Sequence, residues 1–329
     1  MKAIICPEWG NPVDVLQVKE VPIPPVGPGQ VRVRMLASPI NPSDIFMIRG
    51  QYGYQPPLPC VPGFEGVGIV EEGKGILAWR VIGKRVAVLN GKGGNWAEQV
   101  VIPARNAVPI PDNLSVEEAA SFFVNPASAL AMIRHVLKVP YGAWLLQTAA
   151  GSSLGKMIVR LSKIDQFRTI NVVRRKEQIN ELKKLGAQEV IVSEGENIAA
   201  EVKKITGGSG VPFAIDAVGG IIAEQCLASL SYKGKLVLYS NLSGKRASFD
   251  PRVVITGDLK IEGFWLTNWV KDRSAISMLG LFRTIGQMYR QGITACEAGS
   301  TFSLDQFQQA VIESERRGKL GKVLFKISS

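Results

Sequence analysis

A chain of 329 residues, 46% hydrophobic and 20% charged, has the balance of a soluble globular protein and can hold two domains with a core each. It has no run near the ~20 apolar residues of a membrane helix, and Met1-Lys2-Ala3-Ile4-Ile5 lacks the pattern of a signal peptide, so the cytoplasm is expected and a membrane partner is not. The net charge of +11 suits phosphate-bearing ligands or a solvated lysine-rich surface; its densest clusters, Arg174-Arg175-Lys176 and Arg316-Arg317-Gly318-Lys319, lack the interleaved aromatics of a nucleic-acid platform, and no nucleic-acid partner is expected.

Residues 1 to about 118 read as short strands and turns, with alternation in Val31-Arg32-Val33-Arg34-Met35 and heavy proline and glycine punctuation. Residues 83–88 and 96–101 read as a further strand pair. At Ser115-Val116-Glu117-Glu118 the texture changes. A hydroxyl followed three residues on by a carboxylate is a helix-capping box. Strands then alternate with amphipathic helices: strands at 144–146, 169–173, 190–192, 213–216 and 236–239, helices at 152–164, 176–185, 196–205 and 220–230. This alternation predicts an α/β domain, a parallel sheet with helices on both faces. From about 263 the chain is aromatic-rich and mixed. The expected division is 1–118 with 263–329 as a β-rich domain and 119–262 as a Rossmann domain.

The first strand of the alternating region runs into Gln147-Thr148-Ala149-Ala150-Gly151-Ser152-Ser153-Leu154-Gly155 and straight into a helix. Small residues let the backbone approach a pyrophosphate, and the helix start offers free N–H groups and a positive dipole. This is not G-x-G-x-x-G, and a packing glycine loop also fits the pattern. Dinucleotide folds usually end the second strand on an acidic residue that holds the ribose hydroxyls. Here the strand ends Val173-Arg174-Arg175, whose fixed donors suit a 2′-phosphate. NADPH is therefore the expected cofactor, although a solvated basic turn would look alike. Asp216-Ala217-Val218-Gly219-Gly220 and Tyr239-Ser240 end later strands, where cofactor contacts gather.

No metal is expected. Zinc-dependent alcohol dehydrogenases need Cys or His ligands, yet Gly63-Phe64-Glu65-Gly66-Val67-Gly68 has Phe64 where a ligand would stand, and Pro39-Ile40-Asn41-Pro42-Ser43-Asp44 carries no cysteine. Cys6, Cys60, Cys226 and Cys296 are far apart and read as isolated thiols. The one histidine, His135, reads as a helix-face residue, which disfavours a Ser-His-Asp hydrolase. Hydride transfer by a bound cofactor is what remains.

Asn41-Pro42-Ser43-Asp44-Ile45-Phe46-Met47-Ile48-Arg49-Gly50-Gln51-Tyr52, Thr169 to Arg175, Gly263-Phe264-Trp265-Leu266-Thr267-Asn268-Trp269 and Gly321-Lys322-Val323 together resemble, in order, the zinc-free medium-chain dehydrogenases/reductases, and most of all the trans-2-enoyl-thioester reductases of mitochondrial type. The resemblance implies a GroES-like, partly open β-barrel catalytic domain beside the Rossmann domain, a homodimer, and NADPH-dependent reduction of an activated C=C bond. A trans-2-enoyl thioester, on coenzyme A or acyl carrier protein, is the first substrate; a quinone, alkenal or enone is the alternative. It makes Tyr52, on pattern alone a turn tyrosine, a catalytic residue, and puts Asn41 beside it. Phe264 and Trp265 then wall the cofactor, Lys322 joins the cofactor contacts, and Trp269 and Phe64 line the substrate pocket, where the aromatics alone would equally suit a core. The family commonly has asparagine at the position of Phe64, and the loop between Val70 and Val86 is short.

Overall fold

The computed structural model describes residues 1–294, 298–316, 318 and 321–328. Cys296, Arg317 and Lys319 lie outside them. The chain forms two compact units: Met1–Val124 with Ile285–Gln287 and Ala295–Ser329, and Asn125–Thr284 with Met288–Thr294.

The first unit opens with a two-stranded antiparallel ribbon, β1 (Lys2–Ile5) and β2 (Gln17–Glu20). Its main sheet is built on β3 (Gln30–Pro39), β4 (Glu65–Gly73), β5 (Arg85–Leu89), β6 (Gln99–Pro103) and β7 (Ala107–Pro109). The connection 90–98 is too long for a tight hairpin turn, so the expected pairing of its flanking strands is not found. Instead β5 pairs with β4 and β7, while β6 pairs with β3. Ser115 caps Val116–Ala120 as its spacing predicts: Ser115 Oγ accepts from Glu118 N (3.1 Å) and Glu118 Oε2 from Ser115 N (3.0 Å).

The second unit carries β8 (Trp144–Gln147), β9 (Arg168–Val173), β10 (Glu189–Val192), β11 (Val211–Asp216), β12 (Leu230–Leu238) and β13 (Lys260–Gly263). They form one parallel sheet in the order β10-β9-β8-β11-β12-β13. Successive side chains of a strand face opposite ways. Val172 and Ile191 accordingly join Ile198, Val202 and Leu227 in one cluster, while Val173 and Val192 join Val159 and Leu182 in another. Helices Ser153–Asp165 and Gln178–Leu185 thus cover one face, and Ile198–Ile205 and Gly220–Ala228 the other. The expected boundary at 263 falls too early. β13 hydrogen-bonds to β12 as the sheet's sixth strand, and the residues up to 284 stay with this unit.

The chain returns to the first unit with β14 (Ala298–Phe302) and β15 (Lys322–Lys326). β15 pairs with β3 at Ala37–Pro39, and β6 pairs with the same strand at Gln30–Arg34. Trp96 and Phe325 pack edge-on, 5.0 Å between centroids, within the core of this unit. Among the described residues no helix is long and apolar enough to cross a membrane.

Candidate active site

In the second unit the strand order reverses between β8 and β11. Ligands of open α/β sheets bind beyond the carboxyl ends of the strands at such a point. The turn after β8 is tight: Ala149 has φ +48°, Ala150 is fully buried, and Ser152 caps the next helix by accepting from Gly155 N (3.1 Å). A Cβ on Gly155 would lie 2.5 Å from Ala150 O and 2.6 Å from its Cα, so helix and turn meet at a separation only glycine permits. On Gly151 it would meet only the movable end of Gln178. Ser153 and Leu154 form the first turn of the helix, whose N–H groups an anion can use.

Thr148 has a different task from its neighbours. Its buried hydroxyl donates to Asp216 Oδ1 (2.6 Å) and accepts from Ala217 N (2.9 Å), tying β8 to β11 at the switch point. Asp216 also accepts from Val218 N (3.1 Å) and Gly219 N (2.7 Å), so this carboxylate shapes the second loop. Tyr239, followed by Ser240, leaves β12 beside it, with Tyr239 N donating to Asp216 O (3.0 Å). Burial and then Asp216 push the Tyr239 phenol up, keeping it neutral.

Arg174 and Arg175 follow β9 directly, the first exposed and the second half-buried. Arg175 Nε is enclosed without a hydrogen-bond partner. An orphan cationic donor beside a small-residue turn and a helix start fits the phosphates of a dinucleotide. Further along the same edge, Leu238, Phe264, Trp265, Asn268 and Trp269 line a cavity of about 410 Å³. Trp269 packs against His135 (5.5 Å between centroids) and under the Arg273 guanidinium (4.3 Å). Burial, with Arg273, Arg134 and Lys138, lowers the pKa of His135, which sits in a π-helical stretch, Ala131–Leu137.

In the first unit Asn41 caps the helix Pro42–Ile48 and sits in a buried polar cluster. Glu65 Oε1 accepts from Asn41 Nδ2 (3.0 Å) and pairs with Lys322 Nζ (3.2 Å), and Oε2 accepts from Val124 N (2.9 Å). Lys322, expected at the cofactor, thus spends its ammonium on Glu65 at 8% exposure. Asp44 accepts from Asn41 N (2.8 Å) and Phe64 N (3.1 Å). Burial pushes its carboxyl up to about 7, helped by Glu65 and opposed by both N–H groups and Lys322. Half-buried Tyr52 lies over Phe64, 5.2 Å between centroids at 37°.

Asn41, Phe64 and Lys322 therefore meet around Glu65 and Asp44, with Tyr52 on Phe64. Neither acid is among the site residues expected from the sequence. The signals were present: a carboxylate inside the glycine-rich apolar run 63–68, and the Asn41-x-x-Asp44 spacing of a helix cap. Asp216 reads in the sequence only as a strand end, and its acidic side chain in an apolar run is the corresponding signal.

The arrangement is a tight small-residue loop before a helix start in one unit and a charge-compensated polar cluster under an aromatic pair in the other. Residues 153–281 match the zinc-binding dehydrogenase family, and residues 27–112 the alcohol dehydrogenase GroES-like domain. The mitochondrial enoyl-acyl-carrier-protein reductase of Homo sapiens is 32% identical over 94% of this chain and 84% of its own length. That of Arabidopsis thaliana is 34% identical over 82% and 73%. Among solved structures, a Bacillus thuringiensis chain assigned as an NADPH:quinone reductase is 34% identical, covers 99% of both chains and superposes with a TM-score of 0.94. A quinone oxidoreductase of Pseudomonas syringae is 26% identical over 99% of both, with a TM-score of 0.90. The protein is an enzyme, an oxidoreductase. It belongs to the medium-chain dehydrogenase/reductase superfamily, in the family of the mitochondrial enoyl-acyl-carrier-protein reductases.

Zinc, named in one of those family descriptions, does not fit this chain. Phe64 has no donor atom to offer beside Glu65, whose carboxylate Lys322 engages, and among the described residues no three His, Cys, Asp or Glu side chains lie together as a metal site.

Proposed function

We propose that this enzyme uses NADPH to reduce an activated C=C bond, first that of a trans-2-enoyl thioester. The observation that carries the cofactor is the β9 end, where Arg174 and Arg175 replace an acid and Arg175 Nε is left without a partner. When bound, the cofactor supplies a hydride for the β-carbon. The chain's part is to hold the thioester carbonyl, whose oxygen gains charge, and to protonate the α-carbon. Tyr52, half-buried on Phe64, holds that proton on its hydroxyl. Glu65 orients Asn41 beside it through the 3.0 Å hydrogen bond. Because Lys322 neutralises Glu65, the cluster adds no net charge from that pair to repel a developing enolate. The enoyl thioester is favoured by relatives so named that align over nearly the whole chain. The acyl group is carried by coenzyme A or acyl carrier protein. We further propose that the working form is a homodimer, and we keep the cytoplasm as its compartment beside relatives named as mitochondrial.

Reduction of a quinone is the second reading. The Tyr52–Phe64 pair offers an aromatic surface, and the similar solved structures are named for quinone reduction. A panel of crotonyl thioester, quinone and alkenal, each with NADPH and NADH, separates the two. We expect brisk thioester reduction with NADPH, falling at least ~10²-fold in Tyr52→Phe, the usual scale for an acid–base group. Slow turnover of every thioester beside fast quinone reduction, unchanged in the variant, overturns the first reading.

A further inference from the structure

Two cysteines remote in sequence face each other in the first unit. Cys6 N donates to Cys60 O (2.7 Å) and Cys60 N to Cys6 O (3.0 Å), so they form a reciprocal antiparallel bridge. Residues opposed in this way have Cα atoms about 5.5 Å apart, within the roughly 4.4–6.8 Å that a disulfide spans; their Cβ atoms, about 5.5 Å apart in such a pair, must draw in to roughly 3.5–4.5 Å. Both thiols are free, and Cys6 Sγ donates to Glu8 O (3.1 Å). The expectation of isolated thiols thus fails for this pair, because a β-bridge leaves no trace in sequence spacing.

The two are not equivalent. Cys6 is fully buried, whereas Cys60 is partly exposed, so a small solute meets Cys60 first. The neighbouring Cys60 thiol pushes the Cys6 thiol up, reinforced by burial, and Cys6 pulls the Cys60 thiol down. Cys60, partly exposed and with its thiol pulled down, is therefore the attacking member of the pair, and buried Cys6 the resolving one. Both belong to the apolar cluster that also holds Tyr52 and Phe64, next to the proposed chemistry but outside it.

We propose that Cys6 and Cys60 form a dithiol–disulfide modification site whose co-substrate is a small hydroperoxide. With hydrogen peroxide, the Cys60 thiolate attacks one oxygen and the O–O bond breaks. Cys60 is oxidised to the sulfenic acid, and the departing hydroxide takes up the proton that Cys60 had released. The Cys6 sulfur then attacks the Cys60 sulfur. The S–S bond forms, the S–O bond breaks, and the hydroxyl leaves with the Cys6 proton as water. Two thiols and one peroxide give one disulfide and two waters. The new bond fastens the segment that follows Tyr52 to the stretch after β1.

The test treats the reduced full chain with equimolar hydrogen peroxide, blocks remaining thiols with an alkylating agent, and maps the digest by mass spectrometry. The expected product is a single Cys6–Cys60 linked peptide, in a protein about 2 Da lighter, that dithiothreitol reverses. In Cys6→Ser, Cys60 should stop at a sulfenic acid that dimedone captures. In the unmodified chain, without peroxide, Cys60 should be alkylated at least ~10-fold faster than Cys226, a comparison that needs no variant. No link at excess peroxide, a link to Cys226 or Cys296 instead, or equal alkylation of Cys60 and Cys226 would overturn the proposal.

Discussion

Asp44 is a carboxyl closed off from water, with two backbone N–H groups and a lysine as its compensation. Its folded pKa of about 7 stands above the ordinary 3.8. The folded state therefore binds the proton more tightly than the unfolded chain does. Stability from this group is fully present below about pH 4 and is lost as pH rises through about 7. In Asp44→Asn that loss is absent. We expect urea unfolding to show the wild type losing up to about 4 kcal/mol relative to the variant between pH 4 and 7. A difference independent of pH would mean that Asp44 has the same pKa folded as unfolded. Individual residues were legible where chemistry is local. Phe64 could be read as an excluded metal ligand, and Arg174 and Arg175 as a missing acid. Lys322 could not be placed, because its partner Glu65 lies a whole domain away in sequence and only the pairing of β15 with β3 brings the two together.

The element that depends most on one side chain is the turn from β8 into the Ser153–Asp165 helix. Gly155 packs against the backbone of Ala150, and backbone cannot swing aside as the end of a side chain can. Gly155→Ala should therefore cost at least ~1 kcal/mol through overpacking and raise the KM for NADPH at least ~10-fold, read by thermal melting and by cofactor titration. Gly151→Ala, which displaces only the end of Gln178, should do much less. Unchanged cofactor affinity in Gly155→Ala would separate the turn's packing from its binding. The β–α alternation was legible because each strand of a parallel sheet is a short apolar run and each helix carries its own polar face. The first unit was less so. Its strands pair across long connections, and nothing in residues 83–101 states that β5 and β6 have different neighbours.

For the whole molecule, the charge of +11 and the proposed dimer are tested together. Sedimentation at ~150 mM salt should give one species of two chains, unchanged by added RNA, since purely electrostatic binding is weak under that screening. A complex that forms at this salt would give the charge a role beyond cofactor phosphates. One edge of β3 is shared end to end by β6 and β15, the last strand among the described residues. During synthesis on a ribosome, residues 1–124 emerge long before β15 does. Until then half of that edge stays open, and Glu65 waits for the ammonium that will neutralise it. The first unit is thus finished after the second, and a chain lacking residues from Lys322 on would carry a folded second unit attached to a first unit that cannot close.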